Sequence, residues 1–354
     1  MFKPPFCPRR TCSQHRSPRP KFYYRHGFYH PRCRSHAVPR FRCRSCRHTF
    51  SRQTFRVDYR DQRPALNAPL FDLIAMGVGI RMSSRRLGLS LRCTELKLRK
   101  MARHLRQQNL TLRTPLEGEV QLVFDELETF ETSRSLCPLS VPVLIEKTTR
   151  YYIWAESATI RPKGRMTEKR LRTMTIREMK HGRRVDRSRR GIRRTLERGR
   201  DMLRERATIR LYTDEKTTYP GLARLAFGSS RLVHLRTNSK QPRTTSNPLF
   251  AINHEDARMR DVVGRLRRRS WLVSKKRRYL DLALHLHMAH RNLVRSRFNT
   301  DQASPAQMLG FVHRRMTRTE VLSWRQCWGK RSLHPLSGGR ESVASYQAAS
   351  RAAA

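Results

Sequence analysis

Acidic residues are scarce in this chain: 27 Asp and Glu among 354 residues, against 77 Lys and Arg. The formal charge is therefore +50. An ordinary metabolic enzyme mixes both signs on its surface, and a small domain carries a net charge of roughly 2–8. An excess of this size repels itself unless a polyanion neutralises it. Nucleic acid is the first partner to expect, and an anionic membrane surface the second. Long apolar runs are also missing. The longest, Leu70–Ile80, is interrupted by Asp72 and falls far short of the ~20 residues that span a bilayer. Residues Met1–Arg10 hold no apolar segment of the secretory kind. Basic charge is spread along the chain rather than set beside an anchor, so no membrane partner is expected, and a cytoplasmic, nucleoid-associated location is. No internal repeat is visible.

Aliphatic residues are few in the first sixty positions, where Cys, Arg and aromatic residues dominate. Such a segment needs a staple to fold. Cys7-x4-Cys12 and Cys43-x2-Cys46 can place four thiolates around Zn²⁺. Strands over Lys21–Phe28 and Val38–Arg42 would complete a zinc-ribbon within residues 1–60. Cys33, His30, His36 and His48 leave the ligand set open, whereas Cys93, Cys137 and Cys327 read as ordinary buried residues.

Within a DNA-binding domain over 61–112, residues Pro69–Leu105 read as helices. Ser83 and Ser84 are possible N-caps, Arg85–Leu87 a short turn, Gly88 a breaker and Ser90 a further N-cap. Leu91, Leu98, Met101 and Leu105 follow at helical spacing. The order fits a helix-turn-helix whose second helix, Ser90–Arg103, would enter a DNA major groove. Arg92, Lys97, Arg99, Lys100 and Arg103 are its candidate DNA-binding residues.

Beyond Leu116 the pattern turns to strands: Val120–Phe124, Val141–Lys147, Tyr151–Ile160, Ala207–Thr213 and Arg231–Leu235, with Thr148–Arg150 as a hairpin turn. Between the third and fourth strands, Arg161–Arg206 holds 19 Lys and Arg against 6 acids. It reads as a solvated basic insertion or a clamp on a DNA backbone. Leu222–Phe227 reads as a short helix and Asn238–Pro248 as a loop. Two longer helices follow from Asn253 and over Ser274–Val294. Residues 332–354 read as a disordered tail, and Trp271 as a packing residue.

Three acidic clusters stand out in so basic a chain. Asp125-Glu126 and Asp214-Glu215 each close an apolar strand, and Glu255-Asp256 lies near the start of an amphipathic helix. Carboxylates at the ends of neighbouring strands and on a packed helix can converge. Such a cluster is repulsive unless a hard cation such as Mg²⁺ neutralises it, and paired ions of this kind promote in-line phosphoryl transfer on DNA.

The run Phe41-Arg-Cys-Arg-Ser-Cys-Arg-His-Thr-Phe-Ser51 resembles the end of the zinc-ribbon in bacterial insertion-sequence transposases of the IS-one type. The Tyr212-Thr-Asp-Glu block and the stretch from His254-Glu-Asp-Ala-Arg-Met-Arg to Ser274-Lys resemble that family's later catalytic segments. The resemblance runs over roughly residues 7–295. It implies an α/β chain: an RNase H-like mixed sheet flanked by helices over 116–300, preceded by a small zinc-ribbon and a helix-turn-helix. It also implies a DDE transposase that binds terminal inverted repeats and cuts and joins DNA. Asp125, Asp214 and Glu255 would be its catalytic Mg²⁺ ligands, with Glu126 or Glu128 able to share the first position. Double-stranded DNA would be the partner, and a homo-oligomer would form on it. The competing expectation is a non-catalytic zinc-ribbon/helix-turn-helix DNA-binding regulator, or a decayed transposase.

Overall fold

The computed structural model describes residues 2–33, 35–162, 164–267 and 274–323. Trp271, Cys327 and the 332–354 tail lie outside these. The chain divides into two compact units. One joins Met1–Asp72, Ser84–Leu112 and Thr317–Ala354; the other joins Leu73–Ser83 to Arg113–Met316.

In the first unit a one-turn helix α1 (Ser13–Arg16) precedes an antiparallel sheet of β1 (Tyr23–Tyr29), β2 (Val38–Cys43) and β3 (Thr49–Ser51). Its core is aromatic. Phe6, Phe22, Phe41, Phe50 and Phe55 are buried together with Cys7, Cys12 and Cys43. Edge-on ring contacts such as Phe6–Phe55 (centroids 5.3 Å apart) suit the ring quadrupoles. Large rings thus supply the burial that the missing aliphatic residues cannot.

Three helices follow in the chain: α2 (Asn67–Ala75), α3 (Ile80–Arg86) and α4 (Leu91–Thr111). Ser83 and Ser84 lie inside α3 rather than capping it. The stop comes later, at Gly88, whose φ of +59° is the left-handed conformation a glycine adopts without a Cβ penalty. Gly88 N donates to Arg85 O and Leu89 N to Ser84 O, the paired bonds of a Schellman cap. Ser90 then starts α4, its hydroxyl accepting from Cys93 N at 3.2 Å.

The second unit is built on β4 (Glu119–Phe130), β5 (Pro138–Glu146), β6 (Tyr152–Ala155), β7 (Ala158–Thr159), helices α5 (Glu168–His181) and α6 (Ser188–Arg200), β8 (Thr208–Asp214), α7 (Tyr219–Phe227), β9 (Leu232–Thr237), α8 (Phe250–Val262) and α9 (Arg277–Ala289). A π turn, His290–Val294, prolongs α9, and the short helices α10 (Pro305–Met308) and α11 (Arg318–Ser323) come last in the chain, α11 in the first unit. The sheet runs β6-β5-β4-β8-β9, with β7 also paired to β5. β4, β5 and β6 are antiparallel neighbours; β8 lies parallel to β4, and β9 parallel to β8. The sheet is therefore mixed, and helices cover both faces. β5 is almost wholly apolar and buried along its length, as a strand covered on both sides must be.

On one face, Val123, Leu127, Val143, Ile145 and Tyr152 pack with Ile252 and Met259 of α8 and Leu280 and Leu284 of α9. On the other lie α6 and α7. Here the sequence expectation needs correcting. Only α5, which buries no residue, is a solvated basic helix. In α6 the arginines flank a narrow stripe in which Ile192, Thr195, Leu196 and Gly199 are buried. The stripe fits because two positions have no side chain. A Cβ on Gly191 would stand 2.7 Å from the Ala158 methyl, and one on Gly199 2.6 Å from a Leu144 methyl. Charge hid an amphipathic helix whose contact face is built from absences.

At the β6 margin, the Asn292 side chain receives the Tyr152 N–H at 2.8 Å and donates to the Tyr152 carbonyl at 2.8 Å. No described helix is long and apolar enough to cross a membrane.

Candidate functional site

Two clusters of side chains stand out, one in each unit. In the first, Cys7 and Cys12 flank a tight turn in which Cys12 N donates to Arg9 O. Cys43 and Cys46 flank a second turn, closed by Arg47 N on Cys43 O. Arg47 takes a φ of +58° to leave it. The sulfurs of Cys7 and Cys46 stand 3.5 Å apart, and those of Cys12 and Cys43 3.9 Å. All four ligand atoms lie within 4.8 Å of one another. Thiolates bound at 2.3 Å around a tetrahedral ion would be about 3.8 Å apart, so this buried group could bind zinc. Cys33 is exposed and outside the group, as are the three histidines left open above. Burial raises the Cys7 thiol pKa; a bound Zn²⁺ would reverse that by holding the thiolate.

In the second unit, β4 pairs in parallel with β8 through Val123 opposite Tyr212. Continuing that register by two residues sets Asp125 beside Asp214. Both point to the sheet face covered by α8, because side chains alternate along a strand. Asp125 accepts Glu126 N at 2.7 Å, and Asp214 accepts Lys216 N at 3.0 Å. Burial, with added repulsion from Asp214 and Glu126, pushes the Asp125 carboxyl up to about 6. Glu126 points to the opposite face, where Ser140, Lys216 and Tyr219 hold it. Glu128 is exposed. Neither joins Asp125.

Of the two helix acids, Asp256 is the one that Asp125 repels. It is buried, and its Oδ1 has no hydrogen-bond partner. Burial, then Asp125 and Glu255, push its carboxyl well above the usual carboxylate range; Arg260 opposes them. Glu255, one residue earlier, is turned by about 100° around the helix. It is fully buried and held by Arg291 through two bonds of 2.9 and 2.6 Å. Arg258 stands 3.8 Å away and His254 3.6 Å. Burial alone would raise the Glu255 carboxyl, but these partners hold it at about 2. The π turn after α9 presents Arg291 for this pair, an example of such turns serving a special position.

Glu255 is thus ionised and paired at neutral pH. Glu255→Ala should cost about 3–5 kcal/mol, because Arg291 would be left charged and buried. Thermal unfolding of the purified variant at pH 7 measures this. Its folded pKa is depressed, so the pair contributes fully above the unfolded carboxylate range and is lost as pH falls towards 2. The difference between wild type and variant should shrink accordingly below pH 4.

Of the α4 residues, Arg92, Lys100 and Arg103 are exposed and Arg99 is half-exposed. Lys97 is not available to DNA. Its ammonium is buried on Asp61 at 2.6 Å, Asn67 Oδ1 at 3.0 Å and the Arg63 carbonyl at 2.8 Å. Asp61 is 36 residues away, so nothing in the helical pattern announces the pair. Neither a known protein-family model nor a characterised protein matches the chain.

Proposed function

We propose that the chain is a DNA transposase of the insertion-sequence kind, binding DNA ends through its first unit and cutting and joining strands through its second. The observation that carries this reading is the strand register that sets Asp125 beside Asp214, on the sheet face packed by the helix that carries the buried Asp256, whose Oδ1 has no hydrogen-bond partner. In an open α/β sheet, ligands bind beyond the carboxyl ends of such strands, where the connections diverge to either side. β4 and β8 are that pair: β5 and β6 extend one way and β9 the other. A mixed sheet flanked by helices with acids so placed supports an RNase H-like fold.

Three carboxylates that repel one another fit a hard divalent cation. Asp125, Asp214 and Asp256 would hold Mg²⁺, which would activate the attacking oxygen and stabilise the leaving one. Asp256 takes the place expected for Glu255, whose charge Arg291 already neutralises. Glu255 ties α8 to the turn after α9 and so positions its neighbour. The four-cysteine centre with its aromatic sheet supports the zinc-ribbon. The Gly88 cap and Ser90-led α4 support a helix-turn-helix with Arg92, Arg99, Lys100 and Arg103 towards DNA. A regulator would use the same first unit but has no need of buried, mutually repelling acids in the second.

The test is strand cleavage and transfer by the full chain on duplexes carrying the ends of its own element. Cleavage should require Mg²⁺ and disappear with EDTA. A chain that binds these duplexes tightly and never nicks them under any divalent cation is the regulator instead.

A further inference from the structure

A cavity of about 410 Å³ opens on the same sheet face as Asp125 and Asp214. Gln121 of β4, Tyr212 of β8, the turn Lys147–Arg150, the start of α8 and the segment Arg297–Phe298 line it. Tyr212 precedes Asp214 by two residues, about 7 Å of strand. The cavity is basic without being balanced. Lys147 Nζ lies 3.7 Å from the centre of the Tyr212 ring, and Arg150 stands between the Phe250 and Phe298 rings at 5.7 and 5.9 Å. Among the described residues neither cation has a carboxylate oxygen within 4 Å, although Glu255 and Glu146 act on Arg150 from farther away. The nearby acids are engaged elsewhere: Glu146 accepts from Thr148 and Thr149, Glu255 holds Arg291, and Asp301 holds Arg297.

Arg150 has two further peculiarities. Its Nε and Nη1 are buried with no hydrogen-bond partner, an arrangement that costs more for a charged group than for a neutral one. Its φ is +63°, a conformation that favours glycine and costs an L-residue about 1–2 kcal/mol. The turn itself asks for that φ, since Arg150 N closes it on the Glu146 carbonyl. Two ring faces lie near the guanidinium, and its planar fork of donors matches the oxygens of a phosphate.

We propose that this cavity binds a phosphate group of a nucleic-acid strand, with Arg150 and Lys147 as its charged ligands and Arg297, fixed by Asp301 and the Thr148 carbonyl, at its rim. The preference for phosphate stands on the cavity alone. The choice of nucleic acid over a free anion rests on the function proposed above. At ~3.4 Å of rise per nucleotide, the cavity lies about two nucleotides from the acids, where a gripped phosphate would fix the strand before cleavage.

Lysine-acetylation footprinting of the full chain, read at Lys147 by mass spectrometry, tests this without metal and without cleavage. The probes are the trinucleotide dTpdTpdT, inorganic phosphate and thymidine, in ~0.2 M salt to screen loose surface contacts. The trinucleotide should slow Lys147 labelling at least fivefold while thymidine leaves it unchanged. Lys169 on exposed α5 should label at the same rate throughout. In Arg150→Gln the trinucleotide should protect Lys147 less than twofold. The wild-type comparison stands by itself if that variant does not fold. Protection by neither phosphate-bearing probe overturns the proposal. Protection by inorganic phosphate alone overturns the nucleic-acid assignment. A chain that shows trinucleotide protection but never cleaves DNA retains this site and loses the transposase reading.

Discussion

Asp125→Asn should reduce Mg²⁺-dependent strand cleavage by at least about 10²–10³-fold, the cost of removing one group that stabilises transition-state charge, and should make the protein more stable. The two effects share a cause. Asp125 is charged at neutral pH in a place where burial and neighbouring acids oppose that charge. Its carboxyl is raised from an ordinary value near 4 to about 6, so the folded state binds the proton more tightly than the unfolded one. Stability from this group is present at low pH and is lost as pH rises through 6. Two units correspond to about 3 kcal/mol at most, and partial solvent access reduces it. An asparagine still accepts the Glu126 N–H and carries no charge. Melting temperatures should therefore favour the variant at pH 7–8, converge as pH falls below 6 and coincide near pH 4. Asp214→Asn and Asp256→Asn should lose cleavage to the same degree while still binding DNA. Glu255→Gln separates the two helix acids: assayed at a temperature where it is folded, it should retain cleavage if Asp256 is the ligand. Loss of activity in Glu255→Gln with full activity in Asp256→Asn would restore the original assignment.

Removing zinc should have the largest effect on stability. The first unit's sheet has three short strands and an aromatic core that includes three of the four cysteines themselves. Structural zinc contributes about 10–16 kcal/mol of apparent folding free energy to small units of this type. The purified chain should carry one zinc ion. Chelation or Cys43→Ser should abolish the near-ultraviolet dichroism of the packed Phe and Tyr rings near the centre. Tight binding to the element's ends should go with it, while the strand signal of the six-stranded sheet persists. A purified chain with folded aromatic signals and no zinc would remove the metal from the account.

Much of this was legible in the sequence because it is periodic or local. The strands of the mixed sheet announced themselves as short apolar runs, and Cys7, Cys12, Cys43 and Cys46 by their spacing. What was hidden depends on angle or on distant partners. Glu255 and Asp256 are adjacent in sequence, and a turn of about 100° separates an ion pair with Arg291 from a site facing Asp125. Lys97 looked like its neighbours on α4 until Asp61 claimed it. The α6 stripe was masked by arginines, and its fit to the sheet depends on Gly191 and Gly199, which no hydrophobic count registers. The phosphate cavity draws on five separate segments, so no single stretch signals it.

Asn292 has a consequence for assembly. Its amide satisfies the Tyr152 N–H and carbonyl as another strand would. That margin of the sheet therefore offers an incoming chain no unpaired backbone at Tyr152, and one route to runaway edge-to-edge growth is shut. A transposase of the kind proposed above would bring two copies together on DNA and would need its contacts to be selective. A second copy of the chain therefore finds no free backbone at Tyr152 to which a strand could be added.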